Sequence, residues 1–328
     1  MSPLLPPKPH KSYSELVNLL ISRGMIVPDK NRAERKLSQI GYYRLSGFWY
    51  PCREFRTISR QVDSGVKKKP PQREDFFQPN VNFNDIIDLY LFDKRLRLLI
   101  LDAIERIEIH VRSVIAHELG RRDPLAYQSD VFIHPAKMKD VTYGRGKIRN
   151  YWREWTENHE LKLRQSREEC IIHHFSRSMA IPFWVAIEAW DFGTMSKYYE
   201  NLKKNYQSEV CKRLDIPKPD ILKQWLQTIN ILRNKCAHHT RIWNSSYGNP
   251  LPTIKNSYFN TLNLDRNARK RMFGMICILW FLLKKIGPSS GWLDNVREVI
   301  NSKPSMDSCP NTAMGFPDNS GFPKIPDF

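Results

Sequence analysis

The sequence has no C-x-x-C pair, and its six cysteines, Cys52, Cys170, Cys211, Cys236, Cys277 and Cys309, are widely separated along 328 residues. That spacing argues against a zinc knuckle or a dense disulfide framework and predicts mostly buried thiols in a reducing compartment. Long apolar runs are missing as well. The most apolar stretch, Met275 to Leu283, is far shorter than the roughly 20 residues needed to span a bilayer. The proline-rich start, Met1 to Lys11, lacks the apolar centre of a signal peptide. A soluble, cytoplasmic protein is expected. No Rossmann glycine pattern, phosphate loop or strand-rich section occurs, and no cofactor is implied. Acid is scarce beside base: 34 Asp and Glu face 52 Lys and Arg, for a formal charge of +18. Such an excess favours a polyanionic partner, and RNA, DNA and an anionic membrane all qualify.

What is present is a core and a helical period. Hydrophobic residues make up 41%, with 9 Trp, 13 Tyr and 16 Phe, so the chain can bury a substantial interior. Ser12-Tyr13-Ser14-Glu15 has capping-box spacing before a Leu16, Leu19, Leu20 stripe that Gly24 should end. A second helix is predicted over about Asn31 to Ile40, and Gly41 to Tyr50 closes an N-terminal unit. Its tyrosines and basic residues either face nucleic acid or fill a small core. Arg56 to Arg73, with Lys67-Lys68-Lys69, reads as a basic loop that is either a solvated face or a phosphate grip.

The longest helical signal runs from Phe83 to about Leu119, as one helix or two. Residues 125 to 150 look irregular and basic. Tyr151 to about His174 is predicted helical. Asp191 to Met195 is predicted to interrupt a helix that resumes at Ser196. Asp220 is a plausible N-cap for a helix burying Leu222, Trp225, Leu226, Ile229 and Leu232. Ala268 to Lys285 is a strongly apolar helix. Beyond Gly287, repeated Gly-Phe-Pro suggests an ordered strap whose phenylalanines fill pockets. The fold class is mainly α.

The stretch Arg233-Asn234-Lys235-Cys236-Ala237-His238-His239-Thr240-Arg241 places two arginines, two histidines and an asparagine at a helix end. Histidine can carry a proton near neutral pH, and arginine offers a permanent forked cation to a phosphate. Attack by a 2′-hydroxyl on its neighbouring phosphate would make such a site specific for RNA and independent of metal. No carboxylate cluster for two metal ions accompanies it. Asn234 and His238 share a helix face, whereas Arg233 lies about 140° around the helix from His238. The bland alternative is that adjacent histidines merely cap the helix.

Arg233-Asn234 through His239, with Arg241 and Trp243-Asn244, resembles the signature of the Abi-like (AbiD/AbiF-type) abortive-infection proteins. So do Ile40 to Gly47, Phe92 to Arg97, Ala103 to Glu108 and Pro182-Phe183-Trp184, a likeness over roughly residues 13 to 285. The C-terminal part of that group resembles HEPN ribonuclease domains, and Arg233, Asn234 and His238 match the HEPN pattern. The resemblance implies a HEPN-like helical bundle, commonly dimeric, that cleaves RNA in phage defence and is sometimes restrained by a partner RNA or protein. The chain reads as three segments: an N-terminal module and basic loop over 1–78, a HEPN-like domain over 79–286 as the resemblance implies, and a Pro/Gly-rich strap over 287–328 that has no clear counterpart in the family.

By the same resemblance His238 is the principal acid–base residue, Arg233 stabilises the phosphate and Asn234 positions one of them. His239 is an alternative proton carrier. Arg241, Lys235, Arg44 and Lys67 to Lys69 are auxiliary RNA contacts, and Glu105 is a candidate supporting acid. Glu108 and Arg112 read as an intrahelical pair. A metal-independent endoribonuclease acting as a toxin-like effector is the first expectation. A non-catalytic or RNA-sequestered RNA-binding protein is the second. Nucleotide transfer and DNA binding stay open behind them.

Overall fold

The computed structural model describes residues 7–55, 73–144, 146–326 and 328, so Lys67, Lys68 and Lys69 lie outside the described residues. Thirteen α-helices and two small antiparallel strand pairs occur among the described residues, and the protein is mainly α as expected. The chain forms two compact units. The first comprises residues 1–96, 297–313 and 318–322, and the second 97–296, 314–317 and 323–328.

The first unit opens on α1 (Tyr13–Ser22), whose N-terminus carries the expected capping box. The Ser12 side chain accepts from the Glu15 amide, and Glu15 accepts from the Ser12 amide. Gly24 at φ 90° then turns the chain. Helix α2 (Lys30–Ile40) starts at Asp29, which accepts from the Arg32 amide at 2.8 Å. Gly41 separates it from α3 (Tyr42–Trp49). Val17, Leu20, Ala33, Leu37, Leu45, Phe48 and Trp49 recur every three or four residues and pack together as the core. Strands β1 (Arg53–Phe55) and β2 (Arg73–Phe77) pair antiparallel.

Helix α4 (Phe83–Gly120) is unbroken over 38 residues, about 57 Å at ~1.5 Å per residue. The sequence pattern left its continuity open. No proline and no interior glycine interrupts it, so nothing in the backbone forces a kink. Its residues to Leu96 belong to the first unit and those from Arg97 to the second.

In the second unit a hairpin of β3 (Val141–Tyr143) and β4 (Lys147–Arg149) follows three short 3-10 turns. The chain then forms α5 (Tyr151–Gln165), α6 (Glu169–Ser176), α7 (Phe183–Ala186), α8 (Phe192–Asn201), α9 (Lys204–Arg213) and α10 (Pro219–Ala237). After it come α11 (Ser257–Leu262), α12 (Met272–Ile286) and α13 (Trp292–Asn301), the last of which belongs to the first unit from Arg297 on. Every residue of α12 from Met272 to Leu283 is buried, as befits a helix that is apolar all round. Gly274 permits its close approach to the preceding turn: a Cβ there would stand 2.5 Å from the Ala268 carbonyl oxygen. Beside α5 and α8 lies an aromatic cluster in which Trp152 stacks on Trp155, with His159, Tyr127, Phe183, Trp190 and Tyr198 around them.

Three sequence expectations shift. The helix predicted over Tyr151 to His174 breaks at 166–168 into α5 and α6. Helix α10 begins at Pro219, whose fixed φ suits a first position, so Asp220 sits in the first turn and Lys218 is the N-cap. The C-terminal strap holds the unforeseen helix α13, which buries Trp292, Leu293, Val296 and Ile300 on one stripe. Its expected plug is present, since Phe316 is buried against Phe273 at 4.6 Å. Five of the six cysteines are buried free thiols, and Cys170 is exposed.

Candidate functional site

Helix α10 ends where the Arg–His stretch begins to bend. The His238 amide donates to the Asn234 carbonyl at 2.9 Å, and the His239 and Thr240 amides donate back to Cys236 and Lys235 at 3.0 and 2.8 Å. This crossed pair of bonds is a Schellman cap, which requires a left-handed residue at the position His239 occupies, at φ 57°. Glycine is the residue that fills such positions without strain, so a histidine here costs the fold something. Both histidines are exposed, while Ile242 and Trp243 immediately beyond return to the core.

One turn earlier, Arg233 and Asn234 face a polar cleft of about 580 Å³. The Arg233 Nη1 donates to the Asn234 Oδ1 at 3.4 Å. The opposite wall comes from α5 and from the start of α8. Asp191 caps α8 by accepting from the Thr194 amide at 2.8 Å and hydroxyl at 2.9 Å, and it accepts from Lys162 Nζ at 2.7 Å. Burial pushes the Asp191 carboxyl up, but the bonds from Lys162 and Thr194 outweigh it and hold the group below its ordinary value. Gly193 lies against Asn230 of α10, with room for a Cβ only at 3.4 Å from the Asn230 amide nitrogen.

The charges in this cleft are unequally committed. Arg149 is held by Glu154 at 2.8 Å and Lys162 by Asp191, and Glu200 accepts from Lys137 at 2.9 Å and Gln227 at 3.0 Å. Among the described residues no carboxylate lies within 4.0 Å of the Arg233 guanidinium. Its charge is felt by Glu108 of α4. Burial raises the Glu108 carboxyl, and the charges of Arg112 and then Arg233 pull it only part of the way back. Arg112 reaches Glu108 at 3.8 Å, as the intrahelical pair expected, and also donates to the Trp190 carbonyl at 3.2 Å.

The structure therefore brings Arg233 and Asn234 into one cleft and leaves His238 and His239 off its lining, at the cap one turn away. Lys235 lies beside the Tyr247 ring at 5.1 Å. Burial and then the charge of Arg241 draw its ammonium below the usual range. Glu105 is exposed. Arg44 is exposed on α3 of the first unit. Sequence reading missed Asp191, Lys162 and Asn230. The signal for Asp191 was present, because Asp is a favoured N-cap residue, but Gly193 suggested a break instead. Among the described residues no group of three or more His, Cys, Asp or Glu is placed to hold a metal ion.

The pattern that defines the family described as Abi-like protein matches residues 35–244, more than half of the chain. This chain belongs to the Abi-like family. The match runs from within α2 through α10 and stops at Asn244, the last residue of the Arg–His signature, so it is narrower than the 13 to 285 span of resemblance read from the sequence. Neither the curated proteins nor the solved structures contain a significant match. Within the Abi-like region the cleft is built wholly from residues 149–234. No helix among the described residues is long and apolar enough to cross a membrane.

Proposed function

We propose that this Abi-like protein is an endoribonuclease that acts in abortive infection, with its reaction centre at the C-terminal end of α10. The observation that carries the reading is Arg233. Its guanidinium faces a polar cleft with no carboxylate bound to it among the described residues, Asn234 lies beside it, and two exposed histidines follow within two turns. A phosphodiester oxygen is the ligand that a guanidinium fork and a primary amide best hold together.

In this reading the 2′-hydroxyl loses its proton as its oxygen bonds to phosphorus. The bond to the departing 5′ oxygen breaks, and that oxygen takes up a proton. The products are a 2′,3′-cyclic phosphate and a free 5′-hydroxyl. His238 carries one of these protons, and Arg233 meets the charge that grows on the phosphoryl oxygens. The chemistry requires no metal, because the proton carrier and the cation are both side chains. The +18 charge supplies long-range attraction for RNA. A homodimer in which two α10 ends face one another extends the reading, since it would supply a second pair of histidines to each cleft.

The test is incubation of wild type, Arg233→Ala and His238→Ala with total RNA in EDTA, followed by end analysis. Cleavage by wild type with cyclic-phosphate ends, reduced about a hundredfold or more in both variants, is the expected result. Equal cleavage by all three proteins would sink the assignment. A second reading is favoured by the position of the histidines outside the cleft: Arg233 and Asn234 grip RNA without cutting it. RNA that copurifies intact with wild type, and is lost from Arg233→Ala alone, would establish that reading instead.

A further inference from the structure

The aromatic residues of the first unit are sorted in a way that the core does not explain. On α3 and the turn after it, Leu45, Phe48 and Trp49 are buried, while Tyr43 is 75% exposed and Tyr50 48% exposed. Tyr13 at the start of α1 is likewise half in solvent, at 49%. These three rings line a groove of about 800 Å³ built only from residues 8–75. Tyr42 at its floor packs edge-on against Tyr43 and Trp49, at 5.5 and 5.1 Å, and so fixes the α3 side of the groove.

The remaining wall is cationic. Lys8, Lys11, Arg23 and Arg53 line it, against the single carboxylate of Asp75. Asp75 binds both arginines, Arg23 at 2.9 Å and Arg53 at 3.1 Å, and Arg23 also donates to the Tyr42 hydroxyl at 3.3 Å. One acid thus aligns two guanidinium groups side by side and leaves the groove with a surplus of positive charge.

We propose that this groove binds a single-stranded segment of RNA, with unstacked bases lying on the exposed tyrosine rings and phosphates on the cations. Exposed aromatic rings alternating with cations are the chemistry that recognises single strands, because a duplex hides the base faces the rings would cover. The groove is distinct from the Arg233 cleft, which belongs to the other unit. The choice of RNA rests on the ribonuclease reading above. The site gives a role to the exposed Tyr43 and to the half-exposed Tyr13 and Tyr50, the last of which also has the Arg73 guanidinium 5.9 Å from its ring centre.

The test uses the full-length His238→Ala protein, so that binding is read without cleavage, and a short fluorescein-labelled oligoribonucleotide carrying 5-iodouridine. Photocrosslinking should yield adducts at Tyr43, Tyr50 or Tyr13, mapped by mass spectrometry. Tyr43→Ala and Tyr50→Ala should each weaken anisotropy-detected binding by roughly tenfold, the size expected for one lost stacking contact. Tyr43→Phe should keep wild-type affinity, because the ring and not the hydroxyl does the stacking. A duplex of the same sequence should compete poorly. Adducts confined to residues 149–241, unchanged affinity in both alanine variants or equal competition by the duplex would each overturn the proposal. The ribonuclease reading is scored separately, by cleavage in the wild type. RNA held at Tyr43 without cleavage keeps this site and removes that reading, and cleavage without tyrosine adducts does the reverse.

Discussion

Lys162 of α5 donates to Asp191 at the N-cap of α8 across 2.7 Å, and this bond joins two walls of the cleft that Arg233 faces. Asp191 also takes two hydrogen bonds from Thr194, so one carboxylate both starts a helix and ties it to its neighbour. Asp191→Ala should therefore cost about 1–2 kcal/mol, the usual loss for a helix cap. Lys162→Met removes only a part-exposed ion pair and should cost less than about 1 kcal/mol. Chemical denaturation of the two variants checks the order. A larger loss in Lys162→Met would mean that the bond between the helices, rather than the cap, holds this wall.

Glu108 is held above the ordinary carboxylate range by burial, against the pull of Arg112 and Arg233. A raised carboxyl contributes stability that is fully present below its unfolded value and is lost as pH rises through the folded one. Glu108→Gln should flatten that slope and leave stability at neutral pH equal to wild type or higher. Removing a negative charge beside Arg233 should also tighten RNA binding severalfold. Weaker binding would show instead that Glu108 holds the guanidinium in place.

His239 sits in the left-handed region that the Schellman cap of α10 demands. Exchanging it for glycine relieves a conformational cost of roughly 1 kcal/mol. His239→Gly should raise the midpoint of thermal unfolding by about 2–4 °C, the shift expected for a unit of this size. Cleavage that survives the exchange identifies His238 as the proton carrier, and its loss transfers that role to His239.

His159 is buried in the aromatic cluster, where the Trp190 indole donates to its Nδ1 at 2.9 Å. Its Nε2 has no hydrogen-bond partner among the described residues. Burial draws its pKa from 6.5 down to about 4. The unfolded chain therefore binds a proton that the folded chain refuses between those values, so stability falls as pH drops from 6.5 toward 4. At ~1.4 kcal/mol per pKa unit, the loss attributable to this group approaches 3 kcal/mol. Denaturation midpoints across that window should show the slope in wild type and a shallower one in His159→Gln. Parallel slopes would mean that other groups govern acid sensitivity.

Much of the fold is legible locally. The Ser12 capping box, the buried stripe Leu222, Trp225, Leu226, Ile229 and Leu232 of α10 and the all-apolar α12 follow from spacings of three and four residues and from bonds that close within one turn. The Arg–His stretch is equally visible, because its residues are contiguous. What went unread was partly local and masked by conflicting signals, and partly set by partners far along the chain, as for Lys162 and Asn230. Asp191 looked like an interruption because a cap is recognised by the bonds it accepts, and Gly193 suggested a break. Helix α13 was hidden in a composition rich in Pro, Gly and Ser.

The sequence by itself determined a mainly helical Abi-like protein, strongly basic, with a concentrated group of arginine, asparagine and histidine at the end of one helix. Only the tertiary structure decided that Arg233 and Asn234 face a cleft while both histidines stand at its helix cap. It alone paired Lys162 with Asp191, set Glu108 under the influence of Arg233, and separated α3 into the buried Leu45, Phe48 and Trp49 and the exposed Tyr43. The physical reason is range. Helix period, capping and net charge are properties of neighbours in the chain, whereas burial, desolvation and the pairing of charges are fixed by which distant elements pack together.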